Sequence, residues 1–137
     1  MWLVSFIILL FSATCADAAS YQKIDGSIVD PIQLVTGGDL SYSGNNLEPS
    51  ANLQYADLFV ANLTEANLTS ADLTSAWLTG ATLTSANLNS AILNSAKVGT
   101  ATLTSADLTS AELNSAILGD AILTSADLTN AELNSAV

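Results

Sequence analysis

From Ala51 onward the chain places an alanine at every fifth position, Ala51, Ala56, Ala61 and so on to Ala136. Two residues after each alanine stands a leucine, Leu53, Leu58, Leu63 through Leu133, with Val98 the one substitute. The residue before the leucine is mostly Asn, Asp or Glu, and the two after it are mostly Thr, Ser or Asn. A period of five suits neither regular element. In a helix five residues advance a side chain by about 140°, which scatters the leucines over every face. On a straight strand an odd period sends alternate leucines to opposite sides. The set is buried together only if the chain turns a corner after each unit, so that Ala and Leu, two apart on an extended segment, always point to one axis. Four such corners close a square coil of about 20 residues, and successive coils stack as parallel β-ladders.

A longer period supports this reading. At the coil spacing, one column after the leucine runs Gln54, Thr74, Asn94, Asn114, Asn134, and another runs Thr64, Thr84, Thr104, Thr124. Columns before the leucine read Asn67, Asn87, Asp107, Asp127 and Asn52, Asp72, Ile92, Glu112, Glu132. Outward positions repeat in this way if they stack on one another, and duplication of a gene unit leaves the same record.

Alanine, then Asp or Asn, then Leu and two further residues in tandem resembles the pentapeptide repeat family over residues 51–137. The resemblance implies an all-β fold, a right-handed quadrilateral parallel β-helix (a pentapeptide-repeat solenoid) of about four coils. It also implies that Leu is the central inward residue and Ala the small inward one. The absence of Phe at the centre implies a slim aliphatic core. Residues 19–50 repeat poorly: Gly38-Asp39-Leu40 and Asn45-Asn46-Leu47 resemble degenerate units, and Gly37, Gly38, Gly44 and Pro49 mark turns. This stretch is expected to be the N-terminal cap that a stacked array needs.

The run Trp2 to Phe11 is too short to cross a bilayer, which takes about 20 residues. It fits a signal-peptide core, and Ala16-Asp17-Ala18 supplies a small-x-small cleavage site, so residues 1–18 are expected to be removed on export. No Lys or Arg precedes the run, which departs from that pattern. A buried N-terminal strand or helix, or a lipid-modified Cys15, is the alternative. The mature chain then has neither a cysteine nor a transmembrane segment, and its expected place is the periplasm, cell surface or exterior.

Composition narrows the chemistry. Two basic residues against 13 acidic ones give a net charge of -11, so nothing could neutralise phosphates, and nucleic acid is not an expected partner. With no histidine and one cysteine, no catalytic set, resident metal or cofactor is expected. Asp107 with Asp127, and Glu112 with Glu132, read as solvated acidic columns, with weak Ca²⁺ binding the minor alternative. Asn62-Leu63-Thr64 and Asn67-Leu68-Thr69 match glycosylation sequons, but the repeat itself generates N-L-T. Thr82-Leu83-Thr84 and Thr102-Leu103-Thr104 resemble the threonine arrays of ice-binding solenoids over only two complete ranks.

One face breaks the polar rule. Its residues before Leu or Val are Asp57, Trp77, Lys97 and Ile117, and Phe59 and Val60 also point outward on it. An exposed Trp beside a Lys and Gly80, Gly99 and Gly119 suits docking of a protein or a sugar ring. The bland alternative is packing against the cap or neutral drift. The function expected is that of an exported, non-enzymatic structural or protein-interaction solenoid of unknown partner. The resemblance offers a second: some cytoplasmic family members are acidic mimics of the DNA duplex that shield DNA gyrase, a type II topoisomerase. A last coil ending at Ala136-Val137 without a cap is expected to stack end to end as a homodimer, unless the natural chain continues.

Overall fold

The computed structural model describes Tyr21–Gln22, Ile28–Val29 and residues 48–137. The expected signal segment and most of the expected cap lie outside the described residues. Within residues 19–50, β1 (Tyr21–Gln22) and β2 (Ile28–Val29) pair antiparallel, Tyr21 against Val29 and Gln22 against Ile28.

The repeats coil with a spacing of 20 residues. Asn52 bridges Asp72 in parallel, Asp72 bridges Ile92, Ile92 bridges Glu112 and Glu112 bridges Glu132. The same succession runs through Asp57, Trp77, Lys97 and Ile117, through Asn62, Thr82, Thr102 and Ile122, and through Asn67, Asn87, Asp107 and Asp127. These four columns are four flat faces, one unit wide. The parallel stacking is as expected: the residues before the leucines bridge from coil to coil, and a turn follows each leucine.

A single unit accounts for its own backbone. Asp72 N–H donates to Ala51 of the preceding coil at 2.9 Å, while Leu73 and Ser75 donate to Ile92 and Asn94 of the following coil at 2.7 and 2.9 Å. Ala76 N–H closes the corner by donating to Leu73 at 2.9 Å. Only Thr74 N–H has no place in the ladder or turn, and the Asp72 carboxylate accepts from it at 3.0 Å. The same Asx bond serves Gln54, Phe59, Thr64, Thr69, Asn89, Thr109 and Thr129 from Asn52, Asp57, Asn62, Asn67, Asn87, Asp107 and Asp127. Asn and Asp recur before the leucine because their short side chains reach the one N–H the coil leaves over.

Each corner is a turn from Leu to the next Ala whose third residue has positive φ, the type II pattern. Gly80 fills that place once, with φ 71, and elsewhere non-glycine residues do, mostly serine. The pattern already holds at Glu48–Ala51, where Pro49 precedes Ser50 with φ 62 and Ala51 N–H donates to Glu48 at 3.2 Å. Pro is favoured at that second turn position. Glu48 therefore stands in the backbone register of a leucine.

Inside the coil the leucines and alanines form one continuous core from Ala51 to Ala116, almost all of it at zero exposure. Each buried leucine contributes about 1.5–3 kcal/mol. No charged or polar side chain is buried among the described residues. The ends differ: Leu53 is fully covered, whereas Leu118, Leu123 and Leu128 are half-buried and Leu133 is 39% exposed.

Candidate docking face

The face of residues 56–60, 76–80, 96–100 and 116–120 gathers most of the exposed bulk. Phe59, Trp77, Ile117 and Val137 all lie on it, with Tyr55 at its entering corner; Ile122 and Leu133 are the other exposed large apolar residues described. The ladder fixes this grouping, because Asp57, Trp77, Lys97 and Ile117 are bridged in succession. Exposed apolar side chains concentrated on one face of a small acidic rod make it the candidate contact surface.

At its centre is a three-residue stack built from three coils. The Phe59 ring lies 5.6 Å from the Trp77 ring, tilted by 53°, and the Lys97 ammonium sits over the Trp77 ring at 5.3 Å. The Trp77 indole N–H donates to the Thr79 hydroxyl at 2.9 Å. The structure thus brings Phe59, Trp77 and Lys97 together, places Ile117 exposed one coil beyond, and leaves Val60 half-buried at the corner. Val60 packs on Gly80, where an added Cβ would lie 3.1 Å from Val60 Cγ1. Gly80 is therefore a turn residue with positive φ, and Gly99 and Gly119 are the ones that leave the surface bare. Asp57 is tied to its own loop, accepting from Phe59 N–H at 3.1 Å.

The same face departs from the hydrogen-bond rule. Trp77, Lys97 and Ile117 stand where the Asx acceptor belongs, and the N–H groups of Thr79, Gly99 and Gly119 find no acceptor among the described residues. The sequence shows the substitutions but not their consequence, since only the ladder reveals which N–H is left over.

Elsewhere most of these donors are satisfied, although Thr84, Asn94, Thr104 and Thr124 N–H also find no acceptor among the described residues. Asn114 and Asn134 N–H donate to the side-chain oxygens of Asn94 and Asn114 at 2.9 and 3.1 Å, an asparagine ladder replacing the Asx bond where Glu112 and Glu132 precede the leucine. Asn94 and Asn114 also donate to the Glu112 and Glu132 carboxylates at 2.8 and 3.2 Å. Gln54 donates to Asp72. Burial pushes the Asp72 carboxyl up, but hydrogen bonds from the Thr74 hydroxyl, the Gln54 amide and Thr74 N–H outweigh it, and the net shift is downward. Asp127 is also held below the usual range, by the Thr129 hydroxyl and N–H, with a small opposing push from burial. The described residues contain no cavity and no group of three metal-ligating side chains.

A slim parallel coil whose successive turns stack at a 20-residue spacing and show four outward faces defines a β-solenoid. The pentapeptide repeats profile matches residues 50–84, 66–104 and 101–137 in eight copies, and the chain belongs to that family. Among solved structures it is similar to the pentapeptide repeat protein Rfr23 from the cyanobacterium Cyanothece 51142, with 33% identity over 61% of this chain and 65% of that one, TM-score 0.43. It is similar also to HetL from Nostoc sp. strain PCC 7120, a pentapeptide repeat protein involved in heterocyst differentiation regulation, with 37% identity over 66% of this chain and 44% of that one, TM-score 0.41. A pentapeptide repeat protein of the Arabidopsis thaliana thylakoid lumen shares 24% identity over 62% of this chain and 63% of that one, TM-score 0.44. The chain spans less than two thirds of the length of each of these structures. No curated protein matches it.

Proposed function

We propose that the protein is an exported, non-enzymatic interaction scaffold, a right-handed quadrilateral β-helix of about four coils that docks a protein partner through its Trp77 face. The observation that carries this reading is the concentration of Phe59, Trp77, Lys97 and Ile117 on one face, while the other faces are mainly Asn, Asp, Glu and Thr. Lys97 is also the one basic residue of the repeat region, in a chain of net charge -11. A photo-crosslinking side chain at position 117, compared in native cells with one at position 107 on another face, tests the reading. A discrete protein adduct from 117 alone, weakened several-fold by Trp77→Ala, is the expected result. Equal adducts from both positions, or none from 117, would remove it. The acidic columns Asp107–Asp127 and Glu112–Glu132 favour one second reading, an acidic mimic of DNA acting on DNA gyrase; inhibition of gyrase supercoiling by the intact chain would install it in place of the first.

A further inference from the structure

The leftover N–H groups of the Trp77 face are the strongest unexplained feature of the molecule. In eight units an Asx side chain takes this donor, and at Asn114 and Asn134 a neighbouring Asn does. At Thr79, Gly99 and Gly119 nothing described takes it, so three outward donors line up at the coil spacing, roughly 4.8 Å apart. The omission recurs at Asn94 on the first face and at Thr84, Thr104 and Thr124 on the third, but there a side chain stands on every donor residue.

Two of the three donors on the Trp77 face carry no side chain, and the backbone does not require this. Neither Gly99 nor Gly119 has the positive φ that favours glycine. A Cβ on Gly119 would meet nothing within 4 Å, and one on Gly99 would lie 3.3 Å from the Gly119 carbonyl oxygen. Glycine at 119 relieves neither strain nor crowding; what it does is let another chain approach the N–H. Gly99 and Gly119 thus form a bare backbone trough, with Lys97 and Ile117 two residues before them and Thr100 and Asp120 one residue after.

The donors call for an acceptor, and the surroundings select which. An incoming carboxylate would face a molecule of charge -11, with Asp120 next to Gly119. A peptide or amide carbonyl carries no net charge and meets no such repulsion. A sugar needs a free aromatic face to stack on, yet Lys97 covers a face of Trp77, Phe59 leans against the ring, and the indole N–H is spent on Thr79. Exposed Ile117 offers apolar contact, while Asp57 and Asp120 complement basic groups. We infer that the Gly99–Gly119 trough anchors an extended, neutral-to-basic peptide segment of the partner, whose carbonyl oxygens take the N–H groups this face leaves without an Asx oxygen. The inference rests on the docking reading above and specifies its chemistry.

The repeat supplies its own test. Lys97→Asn and Ile117→Asn place an Asx oxygen two residues before each glycine, as Asp57 does for Phe59. Peptides selected on the full chain from a random linear-peptide phage library serve as the probe. Enriched peptides should be basic with apolar anchors, and on binding they should move the Gly99 and Gly119 amide proton signals downfield. The paired Asn substitutions should weaken binding about tenfold more than the paired Ala substitutions, which remove the same side chains without supplying an acceptor. The Asn pair should unfold at or above the temperature of the Ala pair. Enrichment of acidic peptides, unmoved glycine amides, no enrichment, or equal losses from Asn and Ala would each overturn the anchoring role. Any of these alongside an intact crosslink from position 117 overturns the trough alone; loss of that crosslink removes the docking reading itself.

Discussion

A short acidic or amide side chain before each leucine completes the backbone of its unit, which gives individual residues measurable weight. Asp107→Ala leaves Thr109 N–H without its 2.9 Å acceptor and should cost about 0.5–1.5 kcal/mol in chemical denaturation, whereas Thr109→Ala at the neighbouring position should cost less. The corners carry a different tension. Thr100 holds φ 56 and Val60 φ 50, a conformation in which a β-branched side chain crowds its own backbone. Thr100→Asn, which suits left-handed backbone, should stabilise by about 0.5–1 kcal/mol, read as a higher unfolding temperature; no gain would mean that the corner carries no strain. Protonation acts on the same Asx bonds. Asp72 and Asp127 are both held below the ordinary value of 3.8, so their stabilisation is fully present above that pH and is lost as pH falls through the folded values. The gap in unfolding temperature between the native chain and Asp72→Asn should therefore be constant near neutrality and narrow below about pH 4.

One unit of five residues is the element of this fold, and it is legible to very different depths at its different positions. Ala and Leu are readable outright, because a five-residue period has a single way to bury both, and every leucine from Leu53 to Leu113 is buried. The columns at the coil spacing are readable too, since Asn94, Asn114 and Asn134 do stack and bond to one another. The place of Phe59, Trp77 and Lys97 on one face follows from the same spacing. Their mutual stacking does not, because it depends on rotamers that no period encodes. The leftover N–H is also hidden: Trp77, Lys97 and Ile117 look like lapses of polarity until the ladder shows which donor each fails to take. The unit makes a sharp prediction of its own. Leu83→Ala removes a fully buried side chain and should cost about 2–5 kcal/mol. Thr84→Asp, one residue on and outward, should change stability by less than about 0.5 kcal/mol. Equal costs would break the register in denaturant titrations.

Across the whole rod, charge sets how the coils tolerate one another. Asp107 bridges Asp127 and Glu112 bridges Glu132, so like charges sit on adjacent coils at the spacing of a β-ladder. The only lysine in the repeats, Lys97, is engaged with Trp77 and lies on another face. None of these four carboxylates makes an ion pair in the described residues. Asn94 and Asn114 soften the Glu112–Glu132 column by donating to it, but an amide brings no opposing charge. Repulsion along the columns thus works against the compact state, and mobile ions can relieve it. The screening length shrinks from about 30 Å at 0.01 M salt to about 8 Å at 0.15 M, which weakens contacts between separate columns more than those within one. The unfolding temperature should therefore rise by a few degrees between those two salt concentrations, opposite to a fold held by surface ion pairs. Glu132→Lys turns one like-charged pair into an attractive one; it should raise the unfolding temperature most at low salt and reduce the salt slope. An unfolding temperature that stays flat or falls with added salt, measured on the intact chain, would mean that the acidic columns bear no strain and that the core alone sets the stability of the coil.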